Sequence, residues 1–388
     1  MMFNKSIAFI DSKINIEYIN EIIISKQKIS GVFTISDNRV VATTDFVTEG
    51  FTHATMCAKR FLDNFSGECN LVFIEILDEF SSKANINSLL ISLEWCLENS
   101  IKFINLSIGT TLLPDASQLY EKINELTTKG IVIVSASSNK NKMTFPASFS
   151  NVIGVKAHDS TSGRVGFRYN DNNIDRIDVN CYISNEIVKY NDKYYTLPYA
   201  NSLAAPVISA KVCGLMNEGY DTLYKIKAIL KEQSLATNHK LYRENYRKYF
   251  KEKINVPIIV MIIEGDINLL VQRLLSRFED YGYSGICLSE KFETDIVMKV
   301  INLLEFNSYN VVEKIHFYSH YCDVDYVIVH MGDDNWLKSL KSIDIDVVII
   351  NQEYNKHVLK RRTKYINFHE HKDIDVLFSE LYNYLSDN

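Results

Sequence analysis

The chain reads as an α/β protein: a parallel sheet sandwiched by helices, followed by a second, smaller α/β domain. Short apolar runs alternate with amphipathic stretches of helical period up to about residue 235, the pattern of strands crossed over by helices. The alternation stops in a basic, aromatic stretch and then resumes to the C-terminus. The length of 388 residues, 46% hydrophobic, is enough for two cores.

Strands are expected at 7–10, 71–77, 101–106, 131–136 and 152–157, each a run of Ile, Val, Leu and Phe too short for a helix. Helices are expected at 53–63, 84–99 and 116–129, where apolar residues recur every three or four positions. The stretch 202–216 is apolar nearly all round, through Leu203, Ala204, Ala205, Val207, Ile208, Ala210, Val212 and Leu215, and predicts a buried helix. A helix at 221–235 follows, with Leu223, Ile226, Ile229 and Leu230 on one face. The first domain then covers 1–237, a connector 238–255, and a C-terminal domain 256–388.

In the C-terminal domain, strands are expected at 256–263, 285–288, 326–330, 346–351 and near 365–368, with helices at 266–281, 292–305 and 373–385. This is a Rossmann-like or P-loop-like α/β pattern. Glu264-Gly-Asp266 occupies the place of a phosphate loop but lacks the Gly-rich run and the Lys-Ser/Thr pair. A degenerate fold without nucleotide is expected, and no cofactor.

Composition narrows the partners. A net charge of −6 gives no general attraction to nucleic acid. The Arg and Tyr residues of the connector read as a solvated linker that packs its rings on a domain face. No run of 18 apolar residues exists, so no membrane span is expected. Ten residues precede Asp11, with no charged-then-apolar leader; a cytoplasmic protein is expected. The seven cysteines form no CxxC pair and mostly lie in apolar runs, which predicts buried free thiols. His316, His320 and Cys322, with His369 and His371, have ligand chemistry but loose spacing in tyrosine-rich segments; no metal is expected there.

The chemistry concentrates in Pro198-Tyr-Ala-Asn-Ser-Leu-Ala-Ala-Pro206. Ser202 stands at the positive end of a buried helix, where a nucleophile is favoured and where an ordinary N-cap serine also sits. Three other segments decide between these. Ile7-Ala-Phe-Ile-Asp11 is an apolar strand ending in an acid. Gly50-Phe-Thr-His53 places a histidine at the start of an apolar helix. Gly130-Ile-Val-Ile-Val-Ser-Ala-Ser-Ser-Asn139 is an apolar strand ending in an amide. Asp, His, Ser is one of the known chain orders of a hydrolase triad. The stretches 94–109, 145–155 and 173–179 extend the likeness. On these residues the chain from about 5 to 237 resembles the subtilisin-like serine proteases, the subtilases.

The resemblance implies a subtilisin-like sheet and a serine endopeptidase. Ser202 would be the nucleophile, His53 the base, Asp11 its orienter and Asn139 an oxyanion donor. Ser107, Ile108, Gly109, Ser137 and Ser138 would border the substrate pocket, with the peptide added as a strand along 102–109. Lys13, Phe51, Ser138, Ala200 and Asn201 depart from the family's pattern by adding bulk or removing a permissive backbone position, which implies restricted specificity. The substrate expected is a peptide or precursor peptide, with leader removal from a ribosomally made, modified peptide as the role. The C-terminal domain would recognise the leader or a second copy of the chain, giving a homo-oligomer. The alternative is a weak or inactive subtilase fold that keeps its cleft to bind peptide.

Overall fold

The first apolar run becomes β1 (Ser6–Asp11), and every other strand of the larger sheet is arranged about it. The computed structural model describes residues 6–47, 50–77, 84–160, 166–170, 173–235, 246–263, 267–332, 340–351, 363–368 and 373–386. Met1–Thr111 with Gln118–Thr237 make one compact unit, and Asn238–Asn388 with Leu112–Ser117 the other.

In the first unit β1 is joined by β2 (Gln27–Ser36), β3 (Arg39–Ala42), β4 (Cys69–Glu75), β5 (Phe103–Leu106), β6 (Val132–Ala136), β7 (Ile153–Asp159), β8 (Gly166–Tyr169) and β9 (Val179–Ile183). The order is β3-β2-β4-β1-β5-β6-β7-β9-β8. The inner pairings are parallel and only β3 and β8 run antiparallel, at the two edges. β1, β5 and β6 are buried along nearly their whole length, as strands covered on both faces must be. The helices are α1 (Ile16–Ile22), α2 (His53–Asp63), α3 (Ile86–Glu98), α4 (Leu113–Thr128, in this unit from Gln118 onward), α5 (Asn201–Asn217) and α6 (Leu223–Glu232). α5 is buried on almost every side and packs against α2, β5, β6, β7 and β9. This burial on all sides is what its composition predicts.

Two hairpins escape the sequence reading. β2 and β3 are joined through Asp37 and Asn38 at φ 49° and 57°. β10 (Glu186–Tyr190) and β11 (Lys193–Leu197) are joined through Asn191 and Asp192 at φ 48° and 58°. Both are two-residue turns with both central residues left-handed, the form that matches strand twist and that Asn and Asp tolerate. The second hairpin leads straight into α5.

The second unit is a six-stranded parallel sheet among the described residues. Its strands are β12 (Ile258–Ile262), β13 (Gly285–Ser289), β14 (Val300–Asn302), β15 (Tyr326–Met331), β16 (Val347–Ile350) and β17 (Lys364–Asn367), in the order β14-β13-β15-β12-β16-β17. Helices α7 (Asn268–Asp280), α8 (Val311–Tyr321) and α9 (Ile374–Ser386) accompany it. The helix expected at 292–305 does not form. Asp295 and Val300 exchange backbone hydrogen bonds around Lys299 at φ 57°, and the chain then enters β14 beside β13. α8 was not expected, although Asn310 and Glu313 form a full capping box at its start. His316 and His320 lie on α8 and direct ring nitrogens to the backbone carbonyls of Glu252, His316 and Lys253. Tyr246 and Tyr249 of the connector set their rings edge-on to Phe317. Glu264–Asp266, His369 and His371 lie outside the described residues. All seven cysteines are buried free thiols, and among the described residues no helix is long and apolar enough to cross a membrane.

Gly154 shows how tightly β7 is packed. A Cβ there would stand 2.2 Å from the Ala147 carbonyl oxygen, which is backbone and cannot swing aside. Gly154→Ala should therefore lower unfolding stability by about 1–3 kcal/mol, read as a fall in the urea midpoint with an unchanged slope.

Candidate active site

Three parallel strands deliver their carboxyl ends to one place. β1 ends in Asp11, β5 runs on into Ser107, and β6 runs on into Asn139. This edge is where open parallel sheets bind ligands. Asp11 is 1% exposed. Its Oδ1 accepts the Ser12 N–H at 2.7 Å, and its two carboxylate oxygens lie 2.7 and 3.0 Å from His53 Nδ1. His53 is the first residue of α2. Thr52 caps that helix by accepting from the Thr55 N–H, and Ser12 Oγ accepts from the Ala54 N–H. Asn15 completes the support: its N–H donates to Thr55 Oγ1 and its Nδ2 to the Gly50 carbonyl. The imidazole is thus held from both of its flanking segments, with Nδ1–H toward the carboxylate and Nε2 left as the basic nitrogen.

Ser202 is the second residue of α5, not its cap. The N-cap is Ala200, which has no side chain to offer, so the Ser202 N–H has neither a cap nor an intrahelical acceptor. Pro206 has the converse effect. Lacking an N–H, it cannot bond the carbonyl four residues back, which is that of Ser202. The Cys57 thiol donates there instead, at 3.6 Å. The same sulfur lies 3.8 Å from His53 Nδ1 and 3.3 Å from Ser107 Oγ, so its single hydrogen is shared between that hydroxyl oxygen and the Ser202 carbonyl. One buried thiol therefore touches both the histidine and the serine residue. Beneath it a polar chain continues through the core: Asn105 Nδ2 donates to Ser107 Oγ, and Ser209 Oγ donates to Asn105 Oδ1. Sequence reasoning missed Cys57, Asn105 and Ser209. Their signals were an i,i+4 spacing from His53 and polar residues inside otherwise apolar runs.

Asn139 is exposed, and its Oδ1 accepts the Asn201 N–H at 2.8 Å. Ser137 turns its hydroxyl inward, whereas the Ser138 hydroxyl accepts the exposed Lys140 N–H. Ser137 Oγ and the Ser138 carbonyl both accept from Asn201 Nδ2. Ser107 is likewise buried, so its hydroxyl supports the site from below. The strand expected to receive a peptide along 102–109 needs correction. Phe103–Leu106 already pairs with β1 on one side and β6 on the other. Only 107–109, beyond the sheet, retain an edge. Gly109 is pressed against the Phe145 carbonyl, where a Cβ would approach to 2.7 Å, and Thr110 pairs with Phe145.

Electrostatics follow from this geometry. Burial by itself pushes the His53 imidazolium toward deprotonation, but the Asp11 carboxylate outweighs it and holds the pKa well above the ordinary value. Burial pushes the Cys57 thiol up, so it remains an S–H donor. Asp11, His53 and Cys57 offer three metal-ligand types within 4.8 Å. The carboxylate and imidazole are already hydrogen-bonded to each other and the thiol keeps its proton, which leaves an acid–base pair. The base accordingly titrates above the ordinary imidazole value of about 6.5. Imidazolium is the form that Asp11 stabilises. Its stability contribution should be full below about pH 6.5 and fade as pH rises through the higher folded-state pKa. An activity that needs neutral His53 should rise over that same window, so kcat/KM should have its acid limb above about pH 6.5. A limb below that value would contradict the pairing.

The family model for the subtilase family matches residues 4–246. The chain is 25% identical over 190 residues to the minor extracellular protease Epr of Bacillus subtilis (strain 168), covering 48% of this chain and 26% of that protein. It is 26% identical over 225 residues to subtilisin DY of Bacillus licheniformis, covering 52% of this chain and 79% of that one. A crystal structure of a lanthipeptide protease matches with a TM-score of 0.46 at 13% identity, covering 60% of this chain and 80% of that one. The chain thus spans about a quarter of the length of the Bacillus subtilis relative. The family match runs through the segments of Asp11, His53, Asn139 and Ser202, and the chain belongs to the subtilase family.

Proposed function

We propose that this chain is a serine endopeptidase working through Asp11, His53 and Ser202. The observation that carries the reading is the 2.7 Å contact of buried Asp11 with His53, next to a helix whose second residue, Ser202, keeps an uncapped N–H. Ser202 Oγ attacks the scissile carbonyl while His53 Nε2 takes its proton. Asp11 holds the tautomer and stabilises the imidazolium. The oxyanion receives hydrogen bonds from Asn139 Nδ2 and the Ser202 N–H. His53 then protonates the leaving amine, and water, activated by the same imidazole, hydrolyses the acyl-enzyme.

The substrate reading is a peptide laid against 107–109, and more narrowly the leader region of a ribosomally made precursor. Crowding of the cleft is not the ground for narrow specificity. Lys13 is drawn to Asp45, and Phe51 stacks into a cluster with Tyr18, Tyr190 and Tyr195. The ground is the second α/β unit, which contributes none of the proposed catalytic residues and is assigned recognition of the leader or of a second copy.

Ser202→Ala should reduce peptide cleavage by about 10⁴-fold or more with an unchanged circular dichroism spectrum, and His53→Ala combined with it should cost little further. His53→Ala alone also leaves Asp11 buried without its partner, costing about 3 kcal/mol or more of stability at neutral pH. Cleavage retained by Ser202→Ala would end the assignment. Ending the chain near Lys251 should leave Ser202 reactive to a small probe while weakening cleavage of a long precursor. Full-rate cleavage by a folded truncated protein would refute the recognition role.

A further inference from the structure

Asn201, the residue before the proposed nucleophile, is 6% exposed and uses every polar group it has except its carbonyl for contacts outside its own helix. Its N–H donates to Asn139 Oδ1 at 2.8 Å. Its Oδ1 accepts the Ala157 N–H of β7 at 2.8 Å. Its Nδ2 donates to Ser137 Oγ at 3.0 Å and to the Ser138 carbonyl at 2.9 Å. One side chain thus binds the start of α5 to β7 and to the loop that carries Asn139.

We propose that Asn201 is a positioning residue for the oxyanion hole, fixing which end of the Asn139 carboxamide donates. This rests on the active-site reading of Ser202 and Asn139. A backbone N–H can face only the oxygen of a carboxamide. With Oδ1 committed to Asn201, the amide nitrogen is the end that remains to donate. Asn139 is exposed, and without this contact its carboxamide would be free to turn over or sample other rotamers. Each misplaced conformer removes a donor from the transition state but leaves ground-state peptide contacts along 107–109 untouched. The side chain of Asn201 holds its own N–H in line by gripping two elements, Ala157 on one side and Ser137 with Ser138 on the other. A single hydroxyl in its place has one hydrogen and could donate to only one of Ser137 Oγ and the Ser138 carbonyl.

The test is steady-state kinetics on the full chain with Asn201→Ala and the near-isosteric Asn201→Asp, alone and combined with Asn139→Ala. The aspartate keeps an acceptor for Ala157 but sets a carboxylate oxygen against the Ser138 carbonyl. Either folded variant should lose about 10- to 100-fold in kcat with KM within about twofold. Binding of a peptide aldehyde, whose adduct carries the tetrahedral oxygen, should weaken in step with kcat. The acid limb of the pH profile should stay in place. Adding Asn139→Ala should then cost far less than it costs wild type, since both act on one donor. Wild-type kcat in either folded variant, or fully multiplicative losses, would overturn the positioning role while leaving the triad standing. Unchanged turnover in Asn139→Ala would instead overturn the oxyanion assignment beneath it.

Discussion

A carboxylate almost wholly removed from water at the end of a central strand is the constraint on which the site is built. Burying an ion costs several kcal/mol unless a partner and hydrogen bonds replace its hydration. Asp11 has three such contacts, from the Ser12 N–H and from His53 Nδ1 to both oxygens. The demand fixes much else. His53 must stand at the start of α2, so the preceding segment is secured by Thr52, Ser12 and Asn15. β1 must lie inside the sheet, because only an inner strand buries its end this deeply. The core under the histidine must also tolerate polarity, and it does so through a hydrogen-bonded chain of Cys57, Ser107, Asn105 and Ser209. In a low-dielectric interior such links reinforce one another.

Pro206 ties that chain to α5. A proline in the second turn of a buried helix would ordinarily leave an orphan carbonyl. Here the orphan belongs to Ser202, and the Cys57 thiol meets it. The backbone of the proposed nucleophile is therefore held on its carbonyl side by α2. On its amino side Asn201 ties the same turn to β7 and to the Asn139 loop. The N–H of Ser202, lying between these two anchors, is left without a protein acceptor among its helix's own carbonyls.

The architecture of the first unit was largely legible because buried parallel strands are written as short apolar runs. β1, β5 and β6 stand nearly where 7–10, 101–106 and 131–136 place them. The hairpins were not legible in that way. Their strands carry mixed, half-exposed side chains, and the information lies in the pairs Asp37-Asn38 and Asn191-Asp192 at the turns. In the second unit, 292–305 has apolar spacing that suits a helix, yet the turn at Lys299 and pairing with β13 prevail. Sequence could suggest that Asp11, His53, Asn139 and Ser202 belong together, because each ends or begins an apolar element. It could not show where the bulky departures point. Phe51 goes into an aromatic cluster under the β10–β11 hairpin, Lys13 to Asp45 and Asn201 into the core. Those directions depend on contacts between segments far apart in the chain.

On this reading Ser202 is a nucleophile only while these segments are folded together. Intact-mass analysis of the full chain after exposure to a fluorophosphonate at mildly alkaline pH, followed by peptide mapping, tests it most directly. One adduct is expected, on the peptide containing Ser202, absent from denatured protein and suppressed when His53 is protonated. A folded protein that gains no adduct, or gains one elsewhere, would contradict it.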